Sequence, residues 1–296
     1  MIDKSFSKRI FDIFNNIFLV AVCLTCILPF VHLFAVSFSS NVAVLTNSVV
    51  FLPVDFNIDA YIFAFQNGRF LAALWISVQR VALGLVINIL LIVLTAYPLS
   101  YSKNRLLFRN FYMFFFVFTM IFSGGLIPTF IVVSRLGLLN SMWALVLPGA
   151  LPVFSMIIFM NFIRSLPDEL RESAMIDGAG QMTILFKIMM PILKPCIATV
   201  ALFSIVAHWN DWFSGLIYMQ NPLNYPLQTY LQFLLLSFED VMRLATGGDM
   251  AQIMARMNVQ TGRAAQLFMG AVPVLIVYPF LQKYFTTGLV LGSVKG

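Results

Sequence analysis

The sequence contains very little charge. Only 10% of its 296 residues are Asp, Glu, Lys or Arg, whereas soluble domains carry about 25%. By contrast, 60% of the residues are hydrophobic and 31 are Phe. Such a chain cannot cover itself with a water-facing surface, which excludes a soluble enzyme, a nucleic-acid-binding protein and a disordered chain. The composition therefore places the protein in a lipid bilayer.

Residues that build catalytic and metal sites are also scarce. The three cysteines lie in apolar stretches and cannot form a disulfide framework. Cys23 and Cys26 have no second pair to complete a metal site, and the two histidines have no matching carboxylate cluster. The sequence has no Gly-x-x-x-x-Gly-Lys-Ser/Thr loop to hold the phosphates of ATP. We therefore expect this chain to be no enzyme and to carry no metal or cofactor of its own.

Long stretches without charged residues predict an all-α fold, a polytopic membrane bundle of about six helices. The first apolar run is longer than the hydrophobic region of a signal peptide, which predicts an uncleaved first span. The four tryptophans fall near predicted span ends, where amphipathic rings prefer to lie. The predicted spans lie near residues 15–37, 77–101, 111–133, 143–163, 196–218 and 264–282.

The distribution of positive charge predicts the orientation. Six spans put both termini on one side of the membrane. With the N-terminus inside, twelve of the 18 Lys and Arg residues lie in inner segments, whereas the acids divide evenly between the two sides. Cytoplasmic segments of membrane proteins carry such an excess of Lys and Arg. We therefore expect a multi-pass protein of the cell membrane with cytoplasmic N- and C-termini.

The inner loop between the fourth and fifth spans predicts a helix-turn-helix. Ser165 followed by Asp168 is typical of a helix start. Gly178 then offers a stop, because glycine adopts the left-handed conformation that ends helices. A second helix is predicted over about 182–190, halted by Pro191.

This loop resembles the cytoplasmic signature loop of ABC-importer permeases. The usual form of that loop is Glu-Ala-Ala, three residues, Gly, nine residues, Ile, any residue, Leu, Pro. The two departures here are Ser173 for Ala and Met190 for Leu, which leave the helix-turn-helix intact. The matching positions are Glu172-Ser-Ala174, Gly178 and Ile188-Met-Met-Pro191.

Three other stretches resemble the carbohydrate branch of that family. Ser123-Gly-Gly-Leu-Ile-Pro128 is similar to the third-span segment of permeases for lipo-oligosaccharide-type sugars. His208-Trp-Asn-Asp-Trp212 is similar to the Trp-Asn motif of the fifth span. Gln282-Lys-Tyr-Phe-Thr-Thr-Gly288 and Gly292-Ser-Val-Lys-Gly296 resemble the ending of the maltose-type second permease subunit.

The resemblance implies an organisation and a function. Residues 1–69 would hold the N-terminal segment, the first span and an outer loop, residues 70–283 the permease core, and residues 284–296 a cytoplasmic tail. The chain would be the permease subunit of an ATP-driven ABC importer for oligosaccharides, forming half of the translocation path and working by alternating access. Its implied partners are a second homologous permease, two ABC ATPase subunits that hold ATP and Mg, an extracytoplasmic solute-binding protein, the oligosaccharide and the bilayer, with no nucleic acid.

The signature loop would couple this chain to the ATPase. In the family, the loop helix lies in a cleft of the ATPase and transmits its closure to the membrane helices. By this resemblance, Glu172 would contact polar or basic groups, Ala174 would allow close approach and Gly178 would make the turn. The expected coupling residues are Glu172, Ser173, Ala174, Asp177, Gly178, Ile188 and Pro191.

A polar group in the fifth span is a candidate for the substrate path. Asp211 is the one acid within a predicted span, and a charge near the bilayer centre costs about 2.5–3.5 kcal/mol on insertion scales. His208 lies one turn earlier, close enough to pair with it. The candidate path residues, which supply planar polar and aromatic groups suited to sugars, are His208, Trp209, Asn210, Asp211, Trp212 and Arg80. The alternative is that they lie at the outer membrane boundary, where Trp is common and Asp is already hydrated.

Two other functions remain open at this stage. An ion-coupled secondary transporter would need intramembrane ionisable residues and broken-helix repeats, and only Asp211 approaches that pattern. A non-transporting membrane scaffold would have no use for the inner helix-turn-helix. Co-purification with an ATPase would separate both alternatives from an importer.

Overall fold

The computed structural model describes residues 6–66, 68–102, 106–244, 260–277 and 279. All regular elements within these ranges are helical. The helices are α1 (Phe6–Ser37), α2 (Asn41–Leu45), α3 (Asp59–Gln66), α4 (Arg69–Ser100), α5 (Arg109–Ile121), α6 (Leu126–Arg135), α7 (Met142–Gly149), α8 (Val153–Ser165), α9 (Glu169–Ile176), α10 (Gln181–Ile192), α11 (Lys194–Asn210), α12 (Phe213–Tyr218), α13 (Leu227–Leu244) and α14 (260–277).

The predicted all-α membrane bundle is confirmed, although most spans are not single straight helices. Within the described residues, α1 and α4 are each long and apolar enough to cross a bilayer alone. Three further pairs reach that length only together, and each is bent: α5 with α6 by 111°, α7 with α8 by 50°, and α10 with α11 by 83°. Helix α14 overlaps the predicted sixth span, whose last residues lie outside the described ranges. The number six stays a prediction.

Local sequence explains where the spans bend. Between α5 and α6, Gly125 has a φ of +91°, a conformation that side-chain-bearing residues rarely adopt. Pro128 follows in the first turn of α6, where its missing N–H costs no helical hydrogen bond. Pro152, in extended conformation, separates α7 from α8. Leu193, at ψ near 0°, ends α10 just before Lys194-Pro195 begins α11. Glycine and proline thus place the interruptions.

The chain forms two compact units, 1–71 with 233–272 and 72–232 with 273–296. In the first unit, α1 is exposed along its apolar window, so lipid or another chain must cover it. The loop after α1 is ordered by hydrogen bonds. The Ser40 hydroxyl accepts from Ala43 N–H at 3.2 Å to cap α2, and Asn57 N–H donates to the Phe38 carbonyl at 2.9 Å.

The second unit contains the main core. It forms where the C-terminal half of α4 meets α8, α9, α10 and α11, and its buried side chains are apolar. Around it, much of α5 is exposed and aromatic, as a lipid-facing surface requires. The most deeply buried core residues are Ile92, Ala96, Met156, Phe159, Ile163, Ile184, Met189 and Leu193. The predicted division at residues 1–69, 70–283 and 284–296 stays a prediction, and both the last segment and the C-terminal motif of 282–288 and 292–296 lie outside the described residues.

Candidate functional site

The inner loop forms the helix-turn-helix predicted from sequence, but its first helix starts later. Ser165 is the last residue of α8, and its hydroxyl donates to the Phe162 carbonyl at 2.8 Å instead of capping the next helix. Helix α9 begins at Glu169. Asp168 precedes it, and its carboxylate accepts from Arg171 Nη2 at 2.6 Å. The predicted start signal was wrong because both polar side chains are bound elsewhere.

Gly178 ends α9 as predicted. Its φ is +79°, a left-handed conformation that glycine adopts without steric cost. The Gly178 N–H donates to the Met175 carbonyl at 3.1 Å, and the Ala179 N–H donates to the Ala174 carbonyl at 2.9 Å. These two bonds form a Schellman turn, which satisfies carbonyls left free at the helix end. The turn between the two short helices is therefore rigid.

Helix α10 does not stop at Pro191, contrary to the sequence prediction. It runs from Gln181 to Ile192, and Pro191 lies in its last turn. Residues Ile184–Met189 form a π-helical stretch just before the proline. Proline lacks the N–H of a regular helical bond, and the wider π turn accommodates that loss without ending the helix.

The expected coupling residues divide between an exposed and a buried set. Glu172, Ser173, Asp177, Gly178 and Pro191 are exposed. Ala174 is only 5% exposed and packs in the core of its own chain, while Ile188 is half-buried. The small side chain of Ala174 therefore allows close packing against helices of its own chain.

Sequence reasoning missed two apolar side chains beside the glycine turn. Ile176 is 86% exposed and Met182 is 63% exposed. Ile176 lies next to exposed acids, which makes this part of the turn amphipathic, whereas Met182 lines a cavity together with residues of α4. The available signal was a large apolar residue next to a glycine stop in a loop predicted to face water. Such exposed apolar groups are typical of surfaces that bind another protein.

Arg80 and Asp211, the two charged candidates for the substrate path, form an ion pair. Arg80 is 1% exposed. Its Nη1 donates to the Asp211 carbonyl at 2.7 Å, and its Nη2 donates to the Leu145 carbonyl at 3.3 Å and to the Asp211 carboxylate. The guanidinium thus joins α4 to α7 and to the end of α11.

This ion pair interrupts the fifth span. Asp211 is extended and α11 ends at Asn210, so the predicted span over 196–218 is not one continuous helix. The Asp211 carboxylate also accepts from Ser214 N–H at 3.1 Å, which satisfies a free donor at the start of α12. The span is broken because both the carbonyl and the carboxylate of Asp211 bind groups outside α11.

His208 does not pair with Asp211, contrary to the sequence prediction. Its Nε2 lies 3.2 Å from the Asn88 carboxamide oxygen, which also accepts from Ser204 Oγ at 2.9 Å. The Asn88 amide nitrogen donates to the carbonyls of Gly84 at 3.1 Å and Ala150 at 3.0 Å. All hydrogen-bonding sites of the amide are then used. This buried network fastens α4 to α11.

The remaining path candidates differ in exposure. Trp209 is 5% exposed and packed among helices, whereas Asn210 is exposed. Trp212 is partly exposed, and its ring meets Phe213 edge-on with centroids 5.6 Å apart. Sequence reasoning missed Asn88 and Ser204. The signal for Asn88 was an amide in the middle of an apolar span, where it must find partners.

Comparisons with known proteins identify the family and relatives of this chain. Residues 88–291 match the family described as binding-protein-dependent transport system inner membrane component. The polygalacturonan/rhamnogalacturonan transport system permease protein YtcP of Bacillus subtilis (strain 168) is 39% identical over 291 residues, covering 98% of this chain and 99% of that protein. Protein LplC of the same organism is 40% identical over 289 residues, covering 97% and 96%.

A solved structure is similar over nearly the whole length. It is a crystal structure of a bacterial ABC transporter involved in the import of the acidic polysaccharide alginate. One of its chains superposes with a TM-score of 0.85 at 31% identity, covering 96% of this chain and all of that one. Sequence and three-dimensional similarity therefore point to the same class of membrane subunit.

Proposed function

Because this chain belongs to the family of binding-protein-dependent transport system inner membrane components, we propose that it forms half of the translocation path of an ATP-driven oligosaccharide importer. The chain is a membrane-embedded permease subunit of an ABC importer and not an enzyme. The family assignment rules out the two alternatives, an ion-coupled secondary transporter and a non-transporting scaffold. The other half of the path would come from a second, homologous permease.

The observation that carries the coupling proposal is the rigid turn at Gly178. It presents Glu172 and Asp177 beside the exposed side chain of Ile176. An apolar centre with charged neighbours suits insertion into a cleft of another protein. We propose that this surface docks on one of two ATPase subunits, which hold ATP and Mg. The N- and C-termini would then also be cytoplasmic.

The coupling residues would act in two ways. The exposed members, Glu172, Ser173, Asp177, Gly178 and Pro191, would meet the ATPase. The members that face inward, Ala174 and Ile188, would keep the loop seated on the core of this chain. Closure of the ATPase would then move the loop as one body. Alternating access requires that the closed ATPase bind one bundle conformation more tightly than the other, because only such a difference in affinity shifts the equilibrium between them.

We propose a similar division for the substrate path. Asn210 and Trp212 are exposed next to the break in the fifth span, and an amide and an indole ring are groups that bind sugars. Arg80, His208 and Asp211 would hold the break in shape, since each is bonded within the chain. Trp209 would contribute packing.

An extracytoplasmic binding protein would deliver an oligosaccharide. Two of the similar proteins act on polymers of acidic sugars, namely polygalacturonan/rhamnogalacturonan and alginate. Uronate-containing oligosaccharides are therefore the first ligands to test. A neutral oligosaccharide of equal length serves as the control, because it matches the size and leaves out the carboxylates.

Reconstitution of the complete importer tests the proposal. The chain is co-expressed with its partner permease, ATPase and binding protein, and ATP hydrolysis in proteoliposomes is measured over the oligosaccharide panel. We expect ATPase activity that a sugar stimulates and uptake that requires ATP. Gly178→Asp should leave the chain inserted but abolish uptake, because an L side chain is strained at φ +79°. Absence of a co-purifying ATPase, or normal uptake by the Gly178→Asp variant, would refute the coupling assignment.

A further inference from the structure

Three arginines from different helices meet at the C-terminal end of α4. Arg109, the first residue of α5, donates from Nε to the Leu99 carbonyl at 2.9 Å. Arg164, near the end of α8, donates from Nε to the Ser100 carbonyl at 3.3 Å. Both bonds satisfy carbonyls that a helix end leaves free, and the positive charges complement the negative end of the helix dipole. The end of α4 is therefore a junction of helices.

The third arginine, Arg171, belongs to the loop helix α9. It is 4% exposed, and its Nη1 donates to Ser100 Oγ at 3.3 Å. Its guanidinium also lies over the ring of Tyr101, 4.9 Å from the centroid, in a cation–π contact. Asp168 neutralises the charge through Nη2. A buried guanidinium with these partners has one defined position.

The second loop helix is attached to the same end of α4. Gln181, the first residue of α10, accepts at Oε1 from the Tyr97 hydroxyl at 2.9 Å and from the Tyr101 hydroxyl at 2.7 Å. Both legs of the helix-turn-helix are thus bonded to the last turn of α4 and the residue after it. Each leg uses a polar side chain for this contact.

Close packing does not fill the space between these bonds. A cavity of about 450 Å³ lies beside these bonds, next to the core in which α4 packs against the loop helices. Leu94 and Pro98 line it from α4, and Met175 and Leu185 line it from the loop. The polar contacts of Arg171 and Gln181 therefore add bonds with defined partners to the apolar packing of α4 against the loop.

Helix α4 leads from this junction to the buried polar network. Ser100 and Asn88 are twelve residues apart on one continuous helix, a rise of about 18 Å. Asn88 bonds α11, and Arg80, farther along α4, bonds the break in the fifth span. Pro98 lies within α4 between Asn88 and Ser100 and removes one helical hydrogen bond there. A displacement of the end of α4 would reach both groups along the helix, through this point.

We propose that Arg171 is a positioning residue that links the ATPase-coupling loop to α4, so that movement of the loop is converted into movement of α4. This inference rests on the proposed function. It adds a specific route, from Arg171 through the Ser100 and Tyr101 end of α4 to Asn88 and Arg80. Loss of the link should leave the loop able to bind its ATPase but unable to move the bundle efficiently.

The test compares uptake per ATP hydrolysed in proteoliposomes containing the complete importer. Arg171→Met should retain ATPase co-purification and basal hydrolysis while uptake per ATP falls at least tenfold. Arg171→Lys keeps the charge but cannot reach Ser100 and Asp168 together. Its uptake per ATP should therefore lie between the values of Arg171→Met and the parent. The matched control is Arg135→Met, an exposed arginine at the end of α6, which should equal the parent.

A second pair of variants decides the question if Arg171→Met does not assemble. Ser100→Ala removes the hydroxyl that Arg171 binds, whereas Ser102→Ala changes an exposed serine two residues later. We expect uptake per ATP to fall two- to fivefold for the first and to stay at the parent value for the second. If the parent importer couples and the Arg171 and Ser100 variants couple equally well, the link is refuted. If the parent itself neither binds an ATPase nor takes up sugar, the proposed function fails instead.

Discussion

Replacing Gly84 by alanine should break the contact between α4 and α11. A Cβ at Gly84 would lie 2.3 Å from His208 Nε2, 2.5 Å from Cδ2 and 2.7 Å from Cε1. All three distances are below any normal contact, and the ring is buried, so the imidazole has to move away. Moving it withdraws Nε2 from Asn88, whose oxygen then keeps only Ser204 as a partner.

Two contributions determine how much Gly84→Ala destabilises the protein. Forcing a methyl group into a packed site costs about 1–3 kcal/mol. Leaving a buried acceptor without one of its donors costs about 1–3 kcal/mol. We therefore expect Gly84→Ala to lower the free energy of unfolding by about 2–5 kcal/mol. Gly149→Ala is the matched control, because a Cβ at that position meets no atom within 4 Å.

Unfolding of the purified chain by SDS in mixed micelles measures this free energy. His208→Ala removes the obstructing ring, so the double variant should be less destabilised than the sum of the single variants. We expect a coupling energy above about 1 kcal/mol, since contacting residues show about 0.5–3 kcal/mol of non-additivity. Additive effects, or a Gly84→Ala variant as stable as Gly149→Ala, would refute the close contact.

Two further predictions concern the ion pair and the loop surface. Asp211→Asn keeps an oxygen for Ser214 N–H but removes the charge beside Arg80. Removing one partner of a fully buried pair costs about 3–5 kcal/mol. Because Asp211 is 31% exposed, we expect Asp211→Asn to lower the free energy of unfolding by about 2–3 kcal/mol, and adding Arg80→Met should recover part of that loss. Equal stability of the parent and the single variant in the SDS titration would contradict a structural role. Ile176→Asp should leave the free energy of unfolding unchanged, because the side chain is 86% exposed. The same variant should reduce ATPase co-purification at least tenfold, and undiminished co-purification would place the docking surface elsewhere.

Local signals in the sequence were sufficient for the class of fold and the position of the loop. Long apolar runs predicted α1 and α4, because length and composition alone decide whether a helix can cross a bilayer. Gly178 gave the turn, because its left-handed conformation is a property of one residue and its immediate neighbours. The spacing from Glu172 to Pro191 then pointed to the family. Each of these inferences needed only a local stretch of about 20 or 30 consecutive residues.

Long-range partners explain what the sequence did not reveal. The break at Asp211 depends on Arg80, 131 residues away. His208 was assigned to Asp211, one turn away, but its partner is Asn88, 120 residues away. Arg171 counted only as one more inner positive charge, because its burial depends on the end of α4. A pattern of spacing within one helix cannot distinguish among acceptors on other helices.

The π-helical stretch in α10 sets the rotational register of everything that follows it. A π turn takes up one residue more than an α turn, and one residue corresponds to about 100° around a helix axis. The side chains of Met190–Ile192 therefore point about a quarter-circle away from the directions that an uninterrupted α-helix would give them. Deleting a single residue within Ile184–Met189 would restore ordinary winding and leave Pro191 facing its present neighbours, because the deletion removes the one extra residue that the π turn accommodates. The direction in which the chain enters α11 would then be preserved.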